Sequence, residues 1–214
     1  VNGRLGTAPL SETVAAILND HQFADHETGA LNGSVPGYVI DRIMSVRDAL
    51  QPLELAYFFD SIESGGRIAF RHRGQDAIVR SLGADDLVET RPGAALMSLT
   101  RGQETELPAS AKVRYITASD DYRQAVSEAR RLTGASGRVA QADLPIMLDE
   151  GIASGIAETW LFETWVARER ASFALPPSAL GLEPGDLVTY SKAGRTQTLP
   201  LATFTVDGMH HALV

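Results

Sequence analysis

The chain has 214 residues, 44% hydrophobic and 21% charged, with a formal net charge of −8 at pH 7. That is the size and balance of a soluble globular chain, one large domain or two small ones. Cysteine is absent, which excludes disulfides, thiol nucleophiles and cysteine-based zinc sites. No apolar run is long enough to cross a bilayer. The acidic balance argues against sequence-specific nucleic-acid binding, which needs clustered Lys and Arg on phosphates.

In chain order, residues 11–19 predict a short helix. Ser11 serves as its cap, and Val14, Ile17 and Leu18 form its apolar stripe. The polar, Gly-rich stretch 20–37 reads as loop, and Gly37 to Ile40 as a short strand. Ser45-Val46-Arg47-Asp48 resembles a capping box, with Asp in place of the usual Glu. Val46, Ala49, Leu50, Leu53 and Tyr57 then share one helical face. Pro52 lies inside that helix, where a kink or restart is expected. Phe58 to Ile62, a turn at Glu63 to Gly66, and Arg67 to Arg71 read as a β-hairpin. Arg67, Arg71 and Arg73 alternate there as a solvated face does, and His72 is expected to be exposed. Residues 74–106 carry weak signals: a brief helical turn at Asp85 to Val88 and a turn at Arg91-Pro92-Gly93.

Ala111 to Ile116 and Arg138 to Leu144 read as strands, and Tyr122 to Leu132 between them has a composition that suits a helix but neighbours that favour a strand; turns fall at Ser119 to Asp121 and Thr133 to Gly137. A long helix follows over 149–166. Ile152, Ile156 and Trp160 recur four apart, beside Ala153, Ala157, Leu161 and Trp165, so one face is apolar. Asp149 is its expected N-cap, with Glu150 in the first turn. From about Ala167 the period becomes two, with Ala171, Phe173 and Leu175 on one side. Pro176-Pro177 ends that strand, and Glu183-Pro184-Gly185-Asp186 turns the chain into another at Leu187 to Tyr190. Thr196 to Leu199 and Ala202 to Val206 complete the series.

These elements predict an α+β fold. A helix–hairpin subdomain occupies residues 1–106, and a mainly β domain, a small barrel or sandwich packed on the long helix, occupies 107–214. The opening on Val1 and the apolar end Ala212-Leu213-Val214 suggest a segment of a longer polypeptide.

Candidate chemistry is sparse. His21 and His26 sit with Asp20, Asp25 and Glu27 in a loop, without the i, i+4 spacing of a zinc helix. His210-His211 would point to opposite faces of a strand. Asp85-Asp86, Asp120-Asp121 and Asp149-Glu150 are carboxylate pairs of the type a glycosidase uses, yet each sits where a turn or a cap needs it. Trp160 and Trp165 could line a sugar groove, but at helical spacing beside Ile156 and Leu161 they read as core. Gly151 to Gly155 resembles a nucleophile elbow only superficially. Its small residues suit a close helix-to-sheet approach. No catalytic, metal or cofactor residue is assigned.

Four segments carry a family resemblance: GYVIDRIMSVRDALQPLELAYFFDSIESGGRIAFRHRG, ELPASAKVRY, DLPIMLDEGIASGIAETWL and RERASFALPPSALGLEPGDLV. In order and spacing, over Gly37 to Val188, they resemble the tail-protein domain of gene transfer agents and related long-tailed phages. In that family the domain belongs to a large tail-tip protein, often downstream of a barrel with a glycoside-hydrolase look. The resemblance implies relatedness to baseplate hub proteins. Those are homotrimers whose barrel-like domains ring the channel and contact distal tail, tape measure and fibre proteins. It implies a virion location, a structural role in DNA delivery and no catalytic residues in this domain. An acidic inner surface would suit a channel that must not hold DNA. The competing expectations are a cell-wall glycoside hydrolase and a carbohydrate-binding module. Buried tryptophans would favour the structural role.

Overall fold

The computed structural model describes residues 6–117, 121–132, 134, 136–207 and 210–213, with the backbone alone for 206–207 and 210–213. The expected turns at 119–121 and 133–137 fall partly outside these residues, and nothing is said of the side chains of His210 and His211.

Strand β1 (Ala8–Pro9) leads into helix α1 (Leu10–Asp20). Pro9 occupies the cap position without a side-chain hydrogen bond, and Ser11 lies inside the first turn rather than capping it. The stripe is as expected, with Leu10, Val14, Ile17 and Leu18 buried. Two short strands, β2 (His26–Glu27) and β3 (Ser34–Val35), interrupt the loop that follows. Gly37 to Ile40 forms no strand, only a bridge from Tyr38 to Ile146.

Helix α2 (Val46–Tyr57) starts as its sequence dictates. The Ser45 hydroxyl accepts the Asp48 N–H at 3.1 Å and donates to the Asp48 carboxylate at 2.8 Å. This satisfies one of the amide donors a helix start leaves without an intrahelical partner. The helix runs uninterrupted through Pro52, buries Ala49, Leu50, Leu53 and Ala56, and ends on Phe58 in the left-handed conformation. Strands β4 (Phe59–Ser64) and β5 (Arg67–His72) then pair antiparallel. Gly65 and Gly66 join them with φ of 58° and 78°, the two positive values a tight hairpin turn demands.

Next come β6 (Ile78–Leu82), a 3-10 turn at Ala84–Asp86, and β7 (Met97–Arg101), a strand in the stretch whose sequence signals were weak. Strands β8 (Pro108–Thr117), β9 (Gln124–Arg130) and β10 (Arg138–Leu148) follow. Helix α3 (Glu150–Val166) leads to β11 (Glu169–Leu175), β12 (Leu187–Lys192), β13 (Arg195–Pro200), β14 (Phe204–Asp207) and an unforeseen β15 (His210–Leu213).

The α+β class and the long packing helix hold, but no closed barrel forms among the described residues. The strands divide into open sheets ordered β1-β3, β2-β5-β4, β10-β8-β9, β14-β15-β11-β7 and β13-β12-β6. Sequence neighbours are split between sheets because β11 pairs with β7 and β12 pairs in parallel with β6, partners far back in the chain. The β10–β8 pairing is also parallel.

Two apolar clusters result. The first joins α1, α2 and the hairpin to β8, β9, β10 and α3, so it draws on both sides of residue 106. The second gathers Leu82, Phe173, Leu175, Val188 and Tyr190 between the last two sheets. Gly185 stands between these regions with φ of 93°, and a Cβ there would collide with the Ile62 side chain.

Candidate interaction surfaces

Helix α3 buries Ala153, Ile156, Ala157, Leu161 and Trp165 against β8 and β9. Its opposite side also carries exposed apolar side chains: Ile152 is 53% exposed, Phe162 68% and Val166 57%. Gly151, Gly155 and Thr159 lie exposed on the same side. A Cβ at either glycine would meet nothing within 4 Å. These glycines therefore do not serve the close helix-to-sheet approach expected of them. Glu158 is exposed beside them and Glu163 pairs with Arg73, so the outward side is mixed, with its apolar part at Ile152, Phe162 and Val166.

The two tryptophans differ. Trp165 is 7% exposed, and its Nε1–H donates to the Pro108 carbonyl at 2.8 Å. Trp160 is half-buried and packs at the edge of the same cluster. Above Trp165 lies the Arg131 guanidinium, 3.8 Å from the ring centroid, with Arg168 at 5.3 Å.

The carboxylate pairs differ in what the structure gives them. Asp86 accepts the Gly83 N–H at 2.7 Å. Asp149 holds the cap position of α3 without a side-chain hydrogen bond. Asp120 lies outside the described residues, and its neighbour Asp121 has a φ of 56°. Among the described residues, no three His, Asp or Glu side chains come together as a metal site.

The histidines whose side chains are described bind backbone. His21 contacts the Ile17 and Met44 carbonyls at 2.8 and 3.2 Å, which favour the protonated ring and raise its pKa. His26 contacts the Phe23 carbonyl at 2.9 Å. His72 is half-buried rather than exposed: Nδ1 donates to the Tyr57 carbonyl at 2.9 Å and Nε2 accepts the Asn32 N–H at 2.9 Å. Nor is Arg73 part of a solvated row. It pairs with Asp60 and Glu163, each at 2.9 Å, and so ties the hairpin to α3.

A groove of about 530 Å³ opens between the end of α1, α2 and the hairpin, floored by Leu50, Ile68 and Phe70. Glu54 lines it, its carboxyl pushed above the usual range by burial and, secondarily, by Asp60. No helix among the described residues is long and apolar enough to cross a membrane.

Residues 45–203 match the family described as "Putative phage tail protein". The chain belongs to this phage tail protein family. The resemblance read from the sequence therefore holds. A chain in the virion of a native gene transfer agent particle superposes with a TM-score of 0.88 at 30% identity. The match covers 97% of this chain and 46% of that one, so the present chain spans about half of that relative. The tail protein from Neisseria meningitidis MC58 shares the fold at 12% identity and a TM-score of 0.66, over 100% of this chain and 68% of its own. So does the 43 kDa tail protein of prophage MuSo2 from Shewanella oneidensis, at 11% and 0.56, over 97% and 66%. Comparison with curated proteins gives no match.

Two features of these surfaces escaped the sequence. On the outer face of α3, Phe162 and Val166 were visible only as apolar residues outside the expected stripe, whereas Ile152 was expected within the stripe and is exposed instead. The stack on Trp165 was not visible at all, because Arg131 and Arg168 come from different elements.

Proposed function

We propose that this chain is a non-enzymatic structural subunit of a tail tip or baseplate hub, located in the virion of a phage-like particle. It assembles as a homotrimer with other tail proteins around the channel through which DNA leaves. The observation that carries this reading is the outward face of α3. Ile152, Phe162 and Val166 are exposed together on a helix whose other side is already packed, in a chain of a tail protein family. Contiguous exposed apolar surface of this kind marks an interaction site. The net charge of −8 suits a wall along which a polyanion slides without being held.

The hydrolase and carbohydrate-binding readings gain no support from Trp165, whose ring is buried and anchored to Pro108. The division near residue 106 is part of the same proposal, and a protease nick in the exposed Gly102–Glu106 stretch tests it.

The deciding experiment is solution mass by light scattering on the full-length protein, unaltered and as Phe162→Asp. A trimer that the substitution disperses, with unchanged circular dichroism, is expected. A monomer at every concentration overturns the assembly.

A further inference from the structure

Strand β9 ends at Arg130; Arg131 follows, and then Leu132, which stands 99% exposed. A cavity of about 310 Å³ opens there, between these residues, Ala109 and Trp165. Its floor is rigid, since the indole is buried and hydrogen-bonded through Nε1. The cations around it are not equivalent. Arg168 is paired with Glu104 at 2.8 Å, and its hydrogen bond holds that carboxyl below the usual range. The Arg131 guanidinium, stacked 3.8 Å from the ring centroid, has no side-chain ion pair or hydrogen bond among the described residues, while its backbone N–H donates to the Ala109 carbonyl at 2.9 Å. Arg130 alternates to the other face of β9, beside Glu128.

Stacking a guanidinium on an aromatic face leaves its N–H groups free in their own plane and restricts the side chain, so its fork is pre-organised for a planar, two-oxygen acceptor. Carboxylates match that fork bidentately. We propose that this cavity is a recognition socket for an acidic side chain on a partner protein. A Glu or Asp carboxylate would sit on the Arg131 fork, with an apolar neighbour of that residue against Leu132 and Ala109. The chemistry favours a peptide over nucleic acid. One socket is not the track of cations that a phosphate backbone needs, and a chain of net charge −8 repels a polyanion far more than a single carboxylate. The inference is independent of what covers the outer face of α3.

The test is calorimetric titration of the 214-residue chain with the capped peptide acetyl-Leu-Glu-Leu-amide and its Gln counterpart. The Glu peptide should bind about tenfold more tightly than the Gln peptide, and added salt should weaken it. Arg131→Gln should remove about the same factor with the thermal melt unchanged. If that variant melts early, the Glu-to-Gln comparison on the unaltered chain and its loss in added salt decide instead. Equal affinity of the two peptides, or no binding of either, overturns the socket. So does tighter binding of inorganic phosphate or of a short single-stranded oligonucleotide than of the Glu peptide.

Discussion

Helices α2 and α3 pack into the same core, yet they are complete in different senses. Helix α2 has a hydroxyl cap at Ser45, a buried row at Ala49, Leu53 and Ala56, and an outer face of Arg47, Asp48 and Gln51. Everything it needs is in the chain or in water. Helix α3 has no side-chain cap, and its outer face is Gly151, Ile152, Gly155, Phe162 and Val166. The first is completed within the chain. The second is folded on one side and unfinished on the other, as expected of a helix that also belongs to an assembly.

The largest effect that can break this contrast is on the buried side of α3. Trp165→Ala removes a ring that is 7% exposed and orphans the Pro108 carbonyl it satisfies. A loss of about 3–5 kcal/mol in a denaturant melt is expected, with Trp160→Ala costing less because that ring is only half-buried. On α2, Ser45→Ala deletes the hydroxyl that accepts the Asp48 N–H and should cost about 1 kcal/mol, seen as a shift in melt midpoint with an unchanged slope. On the outer face of α3, Phe162→Ser should change the monomer by less than about 0.5 kcal/mol, so a larger change would place that ring in the fold rather than the assembly.

The smallest effect concerns Glu54, whose pKa is raised in the folded chain. The contribution of such a group is fully present below its unfolded pKa, about 4.3, and is lost as pH rises through the folded value. Glu54→Gln should therefore melt slightly later than the unaltered chain at neutral pH, and the gap should close in acid. A gap that widened in acid would reverse the assignment.

The helix–hairpin unit from Ser45 to His72 was legible because each of its signals is local: a cap, a period of 3.6, two glycines and an alternation. The sheets were not. Periodicity tells which face of a strand is buried, but not which strand lies beside it. The parallel pairings β10–β8 and β12–β6 are set by partners far away, and the barrel read from strand spacing gave way to open sheets. Strand β7 was missed because Leu99 points outward, 76% exposed, and the strand exists through its pairing with β11. For the tryptophans the limit was angular. Residues 160 and 165 lie about 140° apart around the helix, so both cannot face the centre of the core, and an all-apolar sequence does not say which one does. Of the candidate chemistry, the carboxylates at 85–86 were correctly read as a turn, whereas the Arg131 stack had no local signature.

The β6–β12 pairing has a temporal consequence. Ile78 and Val79 on β6 are half-exposed even with the partner strand in place, and that partner starts over a hundred residues downstream, at Leu187. During synthesis β6 emerges from the ribosome long before anything in its own chain can pair with it. Its bare backbone and two aliphatic side chains are then open to chance pairing with neighbouring nascent chains. Yield should depend on translation speed and chaperone supply more than on equilibrium stability, and a charge at Val79 should raise recovery without altering the melt.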